Sequence, residues 1–302
     1  MKLVAYRLNG THHKNSIAFK QMCTDLGHTY CEINELKDLD QDTDLIWCPM
    51  IMFDPRNIPA KTKILFGPQF FIFPNPSHPL FSFDLRGKAV YTCLSPWVKT
   101  LYEEFIQGQR IPFVPCPFPI DTKTFEPKPV EKNIDVLIYF KGRDNKFIDK
   151  LQDMLSIYPI NIRFIKCEKY EESHYIDLLN RSKLCLWVGR HESQGFAFQE
   201  CLSMNVPILC YDVQTMYEEF GSNGDTQFCC YEKHKGEKNL FATAATSWSP
   251  KCGEKTYNIN EIPELIIKML DSLDSYEPRE FILENLSSEA CWKKWQAALD
   301  IF

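Results

Sequence analysis

Two series of short apolar runs, each alternating with helix-like segments and separated by one proline-rich stretch, limit what this 302-residue chain can fold into. The first series reads LVAYRL (3–8), a helical stretch near 15–27, TYCEI (29–33), DLIWC (44–48), KILFG (63–67), KAVYTCL (88–94) and a helix from Ser95 to about Phe105. Ser95 stands where an N-cap is needed, and Pro96 takes the first helical position, where its missing N–H costs nothing. Apolar runs separated by helices predict a parallel sheet covered on both faces.

The separating stretch is RIPFVPCPFPIDTKTFEPKPVEKN, residues 110–133, with prolines at 112, 115, 117, 119, 127 and 129. Proline removes backbone donors and stiffens the chain, so a linker is expected here. A second series comes after it: IDVLIYF (134–140), a helix near 146–157, INIRFIKC (160–167), a helix near 172–181, KLCLWVG (183–189), a helix near 196–204 and VPILCYD (206–212). The segment 212–260 reads as polar and irregular, and helices near 261–274, 278–285 and 287–300 close the chain. The expected organisation is a Rossmann-like domain over 1–115, a linker over 116–133 and a second such domain over 134–285. Residues 286–302 form a last helix. Two doubly wound domains of ordinary size fit the length, and ligands of such folds bind at the carboxyl ends of the strands, here facing across a cleft.

Charge and composition narrow the partners. Lys+Arg 34 against Asp+Glu 40 gives a net charge of −6, which argues against a general attraction to nucleic acid. No apolar run approaches the roughly 20 residues of a membrane span. The N-terminal MKLVAYRLNG has no long apolar targeting core, and thirteen cysteines without paired metal-ligand spacing suggest reduced thiols. A cytoplasmic location is expected. No Asp-x-Asp motif is found at the carboxyl end of a predicted strand, and no His/Cys cluster suggests a cation, so neither a metal nor a cofactor is expected.

The stretch HESQGFAFQECLSMNVPIL, residues 191–209, carries the chemistry. If KLCLWVG is a strand, Glu192 lies in the loop at its carboxyl end and Glu200 about one turn inside the following helix. The N–H groups at that helix start, with Gly195 permitting close backbone approach, suit a phosphate. A carboxylate on either side adds acceptors for hydroxyls. A ligand anionic in its middle and hydroxyl-rich at both ends meets this demand, as a nucleotide-sugar does.

Glu192-Ser-Gln-Gly-Phe-Ala-Phe-Gln-Glu200 resembles the glutamate, seven residues, glutamate motif of retaining glycosyltransferases of family 4 and their relatives, which have the GT-B fold. Cys201 to Leu209, with Pro207 opening the next strand, is similar to the small-residue helix and proline-led strand that this family carries after the motif. Phe118-Pro-Ile-Asp-Thr-Lys-Thr-Phe125 resembles the interdomain signature, and IDVLIYFKGRDNK the first strand and basic loop of the second domain. The resemblance implies that Glu200 holds the ribose diol of the donor and that Glu192 meets the hydroxyls of the transferred sugar. It places Gln194, Gly195 and Phe196 on the donor, the last two through backbone amides near the phosphates. Lys141, Arg143 and Lys146 would stabilise the departing diphosphate without a metal.

A nucleotide-sugar donor carrying UDP or GDP, and a glycan or other hydroxyl acceptor, are the implied partners. Transfer of a hexose is the implied reaction. Another GT-B activity, epimerisation or phosphorolysis, and a noncatalytic nucleotide-sugar-binding module stay open. Gly10, after the first strand, is either a turn residue or a point where a ligand approaches the backbone. His12, His13, His78 and His191 are the titratable candidates near neutrality. Trp292 and Trp295, three apart on one helical face, read as core, on a helix that the resemblance implies can cross back to the first domain.

Overall fold

The computed structural model describes the chain except residues 51, 69–80, 82–83, 107, 109, 144, 168–169 and 216–239. The chain divides into two compact units, Met1–Pro119 with Leu286–Phe302, and Ile120–Asn285. No described helix is long and apolar enough to cross a membrane, and every described cysteine carries a free thiol.

The first unit is built on a parallel sheet of β1 (Lys2–Tyr6), β2 (Thr29–Ile33), β3 (Leu45–Cys48), β4 (Lys63–Phe66), β5 (Ala89–Cys93) and β6 (Phe113–Pro115), ordered β2-β1-β3-β4-β5-β6. The middle strands β3, β4 and β5 are buried almost throughout, as their unbroken apolar runs require. Helices α1 (His13–Asp25) and α2 (Pro96–Phe105) flank the sheet in sequence. Pro96 opens α2 as expected, but the Ser95 side chain makes no capping bond and its buried hydroxyl has no partner. The Ser95 carbonyl instead accepts the first helical bond, from Lys99 N at 3.1 Å. The proline-rich stretch also departs from expectation, because its start supplies strand β6. Proline is tolerated there since β6 is an edge strand with one side unpaired.

The chain's last helix, here α8 (Ser288–Leu299), belongs to this unit. Its Trp295 is fully buried, donates from Nε1 to Pro117 O at 2.9 Å, and packs against Phe19, Trp47 and Phe118 with ring centroids 5.2, 6.4 and 5.4 Å away. Trp292 is buried beside it, against His28. Aspartates 40 and 42 lie ahead of β3 and pair with the Lys2 ammonium.

The second unit contains β7 (Ile134–Phe140), α3 (Asn145–Leu155), β8 (Ile162–Lys166), α4 (Glu172–Arg181), β9 (Ser182–Val188), α5 (Phe196–Ser203), β10 (Ile208–Tyr211), β11 (Gly253–Thr256), α6 (Ile262–Asp271) and α7 (Pro278–Leu286). The parallel order is β11-β10-β9-β7-β8. Alternate residues of β7 serve the two faces, as strand geometry demands. Val136, Ile138 and Phe140 join Leu151 and Leu155 of α3 and Ile262, Ile266 and Met269 of α6. Tyr139 stacks on Trp187 at 4.1 Å, and Trp187 meets Phe198 of α5 edge-on.

Strand β11 lies inside the segment expected to be irregular. Its signal is hidden because the strand is four mostly polar residues on a sheet edge. Gly253 makes the pairing possible, since a Cβ there would fall 2.2 Å from Ile208 O. Residues after Pro119 are bound into this unit. Arg279 donates to Thr122 O, Phe125 O and Ser203 O at 3.2, 3.0 and 2.7 Å, and Lys128 N donates to Asn180 Oδ1.

Candidate functional site

Topology selects one place on the second sheet. From β7 the chain runs to one face of the sheet, where Leu151 of α3 packs, and from β9 to the other, where Phe198 of α5 packs. The carboxyl ends of β7 and β9 therefore border the point where strand order reverses, the place where open α/β sheets leave a crevice for ligands. Phe140 and Val188 are paired there, and Lys141 N donates to Val188 O at 2.9 Å. From these two ends run the loops carrying Lys141-Gly142-Arg143 and Gly189 through Gly195.

The structure brings Lys141 and Glu192 together, with Nζ donating to Oε1 at 2.6 Å. Glu192 is buried and the Lys141 side chain about one-third exposed. Burial works to neutralise the ammonium, but the attraction of Glu192 outweighs it and raises the Lys141 pKa. Lys141 is therefore a cation at any physiological pH. Arg143 turns inward. Only 7% exposed, it donates from Nε to Gly189 O at 2.6 Å and from Nη2 to Asp212 O at 3.2 Å, with its guanidinium over the Tyr211 ring. It thus braces the ends of β9 and β10. Lys146 is exposed in the first turn of α3.

Gly195 caps α5 with φ +84°, a left-handed conformation that favours glycine, and it brings no side-chain acceptor to the helix start. The first amides of α5 stand at the positive end of its dipole, with half-buried Phe196 at the first helical position. Gln194 is buried and occupied within the loop. Its amide donates to Gln199 Oε1 at 3.2 Å, and its carbonyl accepts from Gln199 Nε2 and Thr246 Oγ1. Glu200 lies in the second turn of α5 at 4% exposure. A carboxylate that deep has a desolvation cost that its surroundings must offset.

Three residues at this site carry no role in the sequence analysis. Asp212 closes the run VPILCYD; its Oδ1 accepts from Val213 N and Ala244 N at 2.9 and 2.7 Å, and its Oδ2 from Thr243 Oγ1 at 2.7 Å. Thr243 O in turn accepts from Glu192 N at 3.0 Å, so this network fixes the backbone of the loop glutamate. Arg190, two residues after the end of β9, lies across Gly142, where a Cβ would fall 2.7 Å from Arg190 Cδ. Position after a strand is a signal for Asp212 and Arg190; Thr243 had none.

The remaining candidates lie apart. Gly10 is in the first unit with φ +88°, near Met50, at the carboxyl end of β1 where that sheet's order also reverses. His12 accepts a bond from Lys14 N and stacks on His13 at the start of α1, and His191 is half-buried beside Glu192. His78 lies outside the described residues. Among the described residues, no group of three or more His, Cys, Asp or Glu is placed to hold a metal ion.

No protein-family model and no curated protein matches the chain. Solved structures do. HepE of Anabaena, in complex with UDP, aligns over the whole of both chains with a TM-score of 0.55 at 9% identity. The lipopolysaccharide outer core galactosyltransferase WaaB, in its apo form, covers 99% of each chain with a TM-score of 0.50 at 12% identity. A TarM variant of S. aureus, in complex with fondaparinux, α-GlcNAc-glycerol and UDP, covers 87% of this chain with a TM-score of 0.51 at 10% identity. The chain spans only 56% of TarM. Two parallel-sheet α/β domains, of six and five strands, give this chain the GT-B fold of these glycosyltransferases.

Proposed function

We propose that the protein is a retaining, metal-independent glycosyltransferase that moves a hexosyl group from a UDP- or GDP-sugar to a hydroxyl of a glycan or similar acceptor. One observation carries this reading. Lys141, after β7, pairs with buried Glu192 in the loop after β9, and that loop leads through Gly195 into α5, which carries buried Glu200 one turn on. UDP in the HepE and TarM structures supports a nucleotide donor, and free thiols support a reducing, cytoplasmic setting.

In this reading Glu200 accepts hydrogen bonds from the ribose diol, and the amides of Gly195 and Phe196 approach the phosphates, with Gln194 holding their loop. Lys141 and Lys146 meet the departing diphosphate, and Arg143 adds positive potential from its buried position. Glu192 contacts the sugar as positive charge develops on the anomeric carbon. The bond from that carbon to the phosphate oxygen breaks, the acceptor oxygen bonds to the carbon on the same face, and the acceptor proton passes to the departing phosphate. No protein base is then required. Gly10, in the first unit, lies at a strand end suited to backbone approach by a ligand.

Thermal melts in the presence of UDP-, GDP- and ADP-sugars test the reading. A matching donor at about 100 times its Kd adds about 2.7 kcal/mol of stability. Turnover with that donor persists in excess EDTA, and NMR of the product shows the donor's anomeric configuration. Activity that vanishes in EDTA and returns with Mn²⁺ would contradict metal independence. Stabilisation without any release of nucleoside diphosphate would leave a binding module.

A further inference from the structure

We infer that a cavity in the first unit, at the carboxyl ends of β1 and β2, takes an acceptor that carries an anionic group, a carboxylate or phosphate on a sugar, and that Arg7 selects it. The inference rests on the glycosyltransferase reading and names the class of its acceptor. The cavity measures about 440 Å³ and is lined by Arg7, Asn9, Asn34 and Glu35. Arg7 comes directly after β1, and Asn34 directly after β2, the parallel neighbour of β1. Ligands of parallel α/β sheets gather at that end of the strands, and the volume falls within the roughly 300–1,000 Å³ of small-molecule sites.

The arginine is held in place by its own unit. Its φ is +49°, in the left-handed region where a long side chain crowds the backbone. Three contacts enforce that conformation: the backbone N donates to Ile33 O at 3.0 Å, Nε donates to Asn34 O at 2.8 Å, and the guanidinium carbon lies 5.3 Å from the centroid of the Tyr6 ring. Strain enforced in this way gathers at ligand clamps. Among the described residues, Nη1 and Nη2 donate to nothing and no carboxylate pairs with Arg7. Glu35, the other charge on the wall, is answered by Lys37, whose Nζ stands 2.6 Å from Oε2. The wall therefore presents one cation with its outer edge open, and that planar edge suits two oxygens of a single carboxylate or phosphate. The side-chain amides of Asn9 and Asn34, also without a hydrogen bond among the described residues, supply donors and acceptors for sugar hydroxyls. A neutral sugar would use the asparagines and leave the guanidinium idle.

NMR titration of the full chain with glucuronate, glucose 6-phosphate and glucose, followed at the amides of Asn9 and Asn34, tests the assignment. At least one anionic sugar should bind about tenfold or more tightly than glucose, and which one does so separates carboxylate from phosphate recognition. Arg7→Asn, which tolerates the left-handed backbone, should keep the parent's melting temperature and lose that preference. Arg7→Lys keeps the charge without the fork and should retain only part of it, while Glu35→Gln should keep or increase it. Equal binding or no binding of the three sugars by the parent, a preference that survives in Arg7→Asn, or shifts that spare Asn9 and Asn34 overturns the assignment alone. A parent protein that binds none of UDP, GDP and ADP overturns the glycosyltransferase reading, and the acceptor assignment with it.

Discussion

Gly195 shows how much of this site is decided by single backbone positions. Its φ of +84° turns the Glu192 loop into α5, and a Cβ there would stand 3.2 Å from both Cβ and Cγ of Glu192. Gly195→Ala therefore pays for a left-handed alanine, roughly 1–2 kcal/mol, and pushes the glutamate. A lower denaturation midpoint, together with a fall in kcat larger than the change in donor KM, is the expected outcome. A variant with parent stability and kinetics would show that the glycine is incidental. Lys141 illustrates the electrostatic side. Its ammonium is held by Glu192 with a pKa above the ordinary lysine value of 10.5, so the stability gained from the lysine's charge is fully present from neutral pH up to that value. It is lost only as pH rises through the raised one.

Among the elements, the loops that end β9 and β10 are joined by Asp212, whose carboxylate holds Thr243 and Ala244 while Thr243 O holds the Glu192 amide. Asp212→Ala leaves those buried donors without an acceptor, at about 1–3 kcal/mol, and loosens Glu192 while leaving Glu200, the proposed ribose contact, in place. Steady-state kinetics should show lower kcat at nearly constant donor KM, with partial rescue in Asp212→Asn. A rise in KM alone would contradict a role for Asp212 in holding Glu192. Strands with long apolar runs, such as IDVLIYF and KLCLWVG, were legible in the sequence because burial on both faces leaves no polar alternation. Strands β6 and β11 were not, since edge strands need little burial and tolerate Pro115 or the polar GEKT. Glu192 and Glu200 could be read from their spacing around Gly195. The inward turn of Arg143 and the path of Arg190 over Gly142 depend on which carbonyls and glycines the fold brings near, which one-dimensional spacing does not contain.

For the whole molecule, the chain builds two parallel sheets whose orders both reverse beside the first strand of the unit, and each reversal carries a glycine-containing loop. Unit 2 holds every proposed donor contact except Gly10, so its role can be tested by binding alone. The affinity of the bare nucleoside diphosphate, which has the ribose and lacks the sugar, for the parent, Glu200→Ala and Glu192→Ala is the most direct measurement. Glu200→Ala should lose the ribose bond and weaken binding by about 1.5–3 kcal/mol, roughly 10- to 150-fold. Glu192→Ala should bind as well as the parent or more tightly, because Lys141 is released from its 2.6 Å pair and the sugar that Glu192 would meet is absent. Weakening in Glu192→Ala with parent-like binding in Glu200→Ala, or no change in either, would contradict the assignment of residues 192–200 as the donor site.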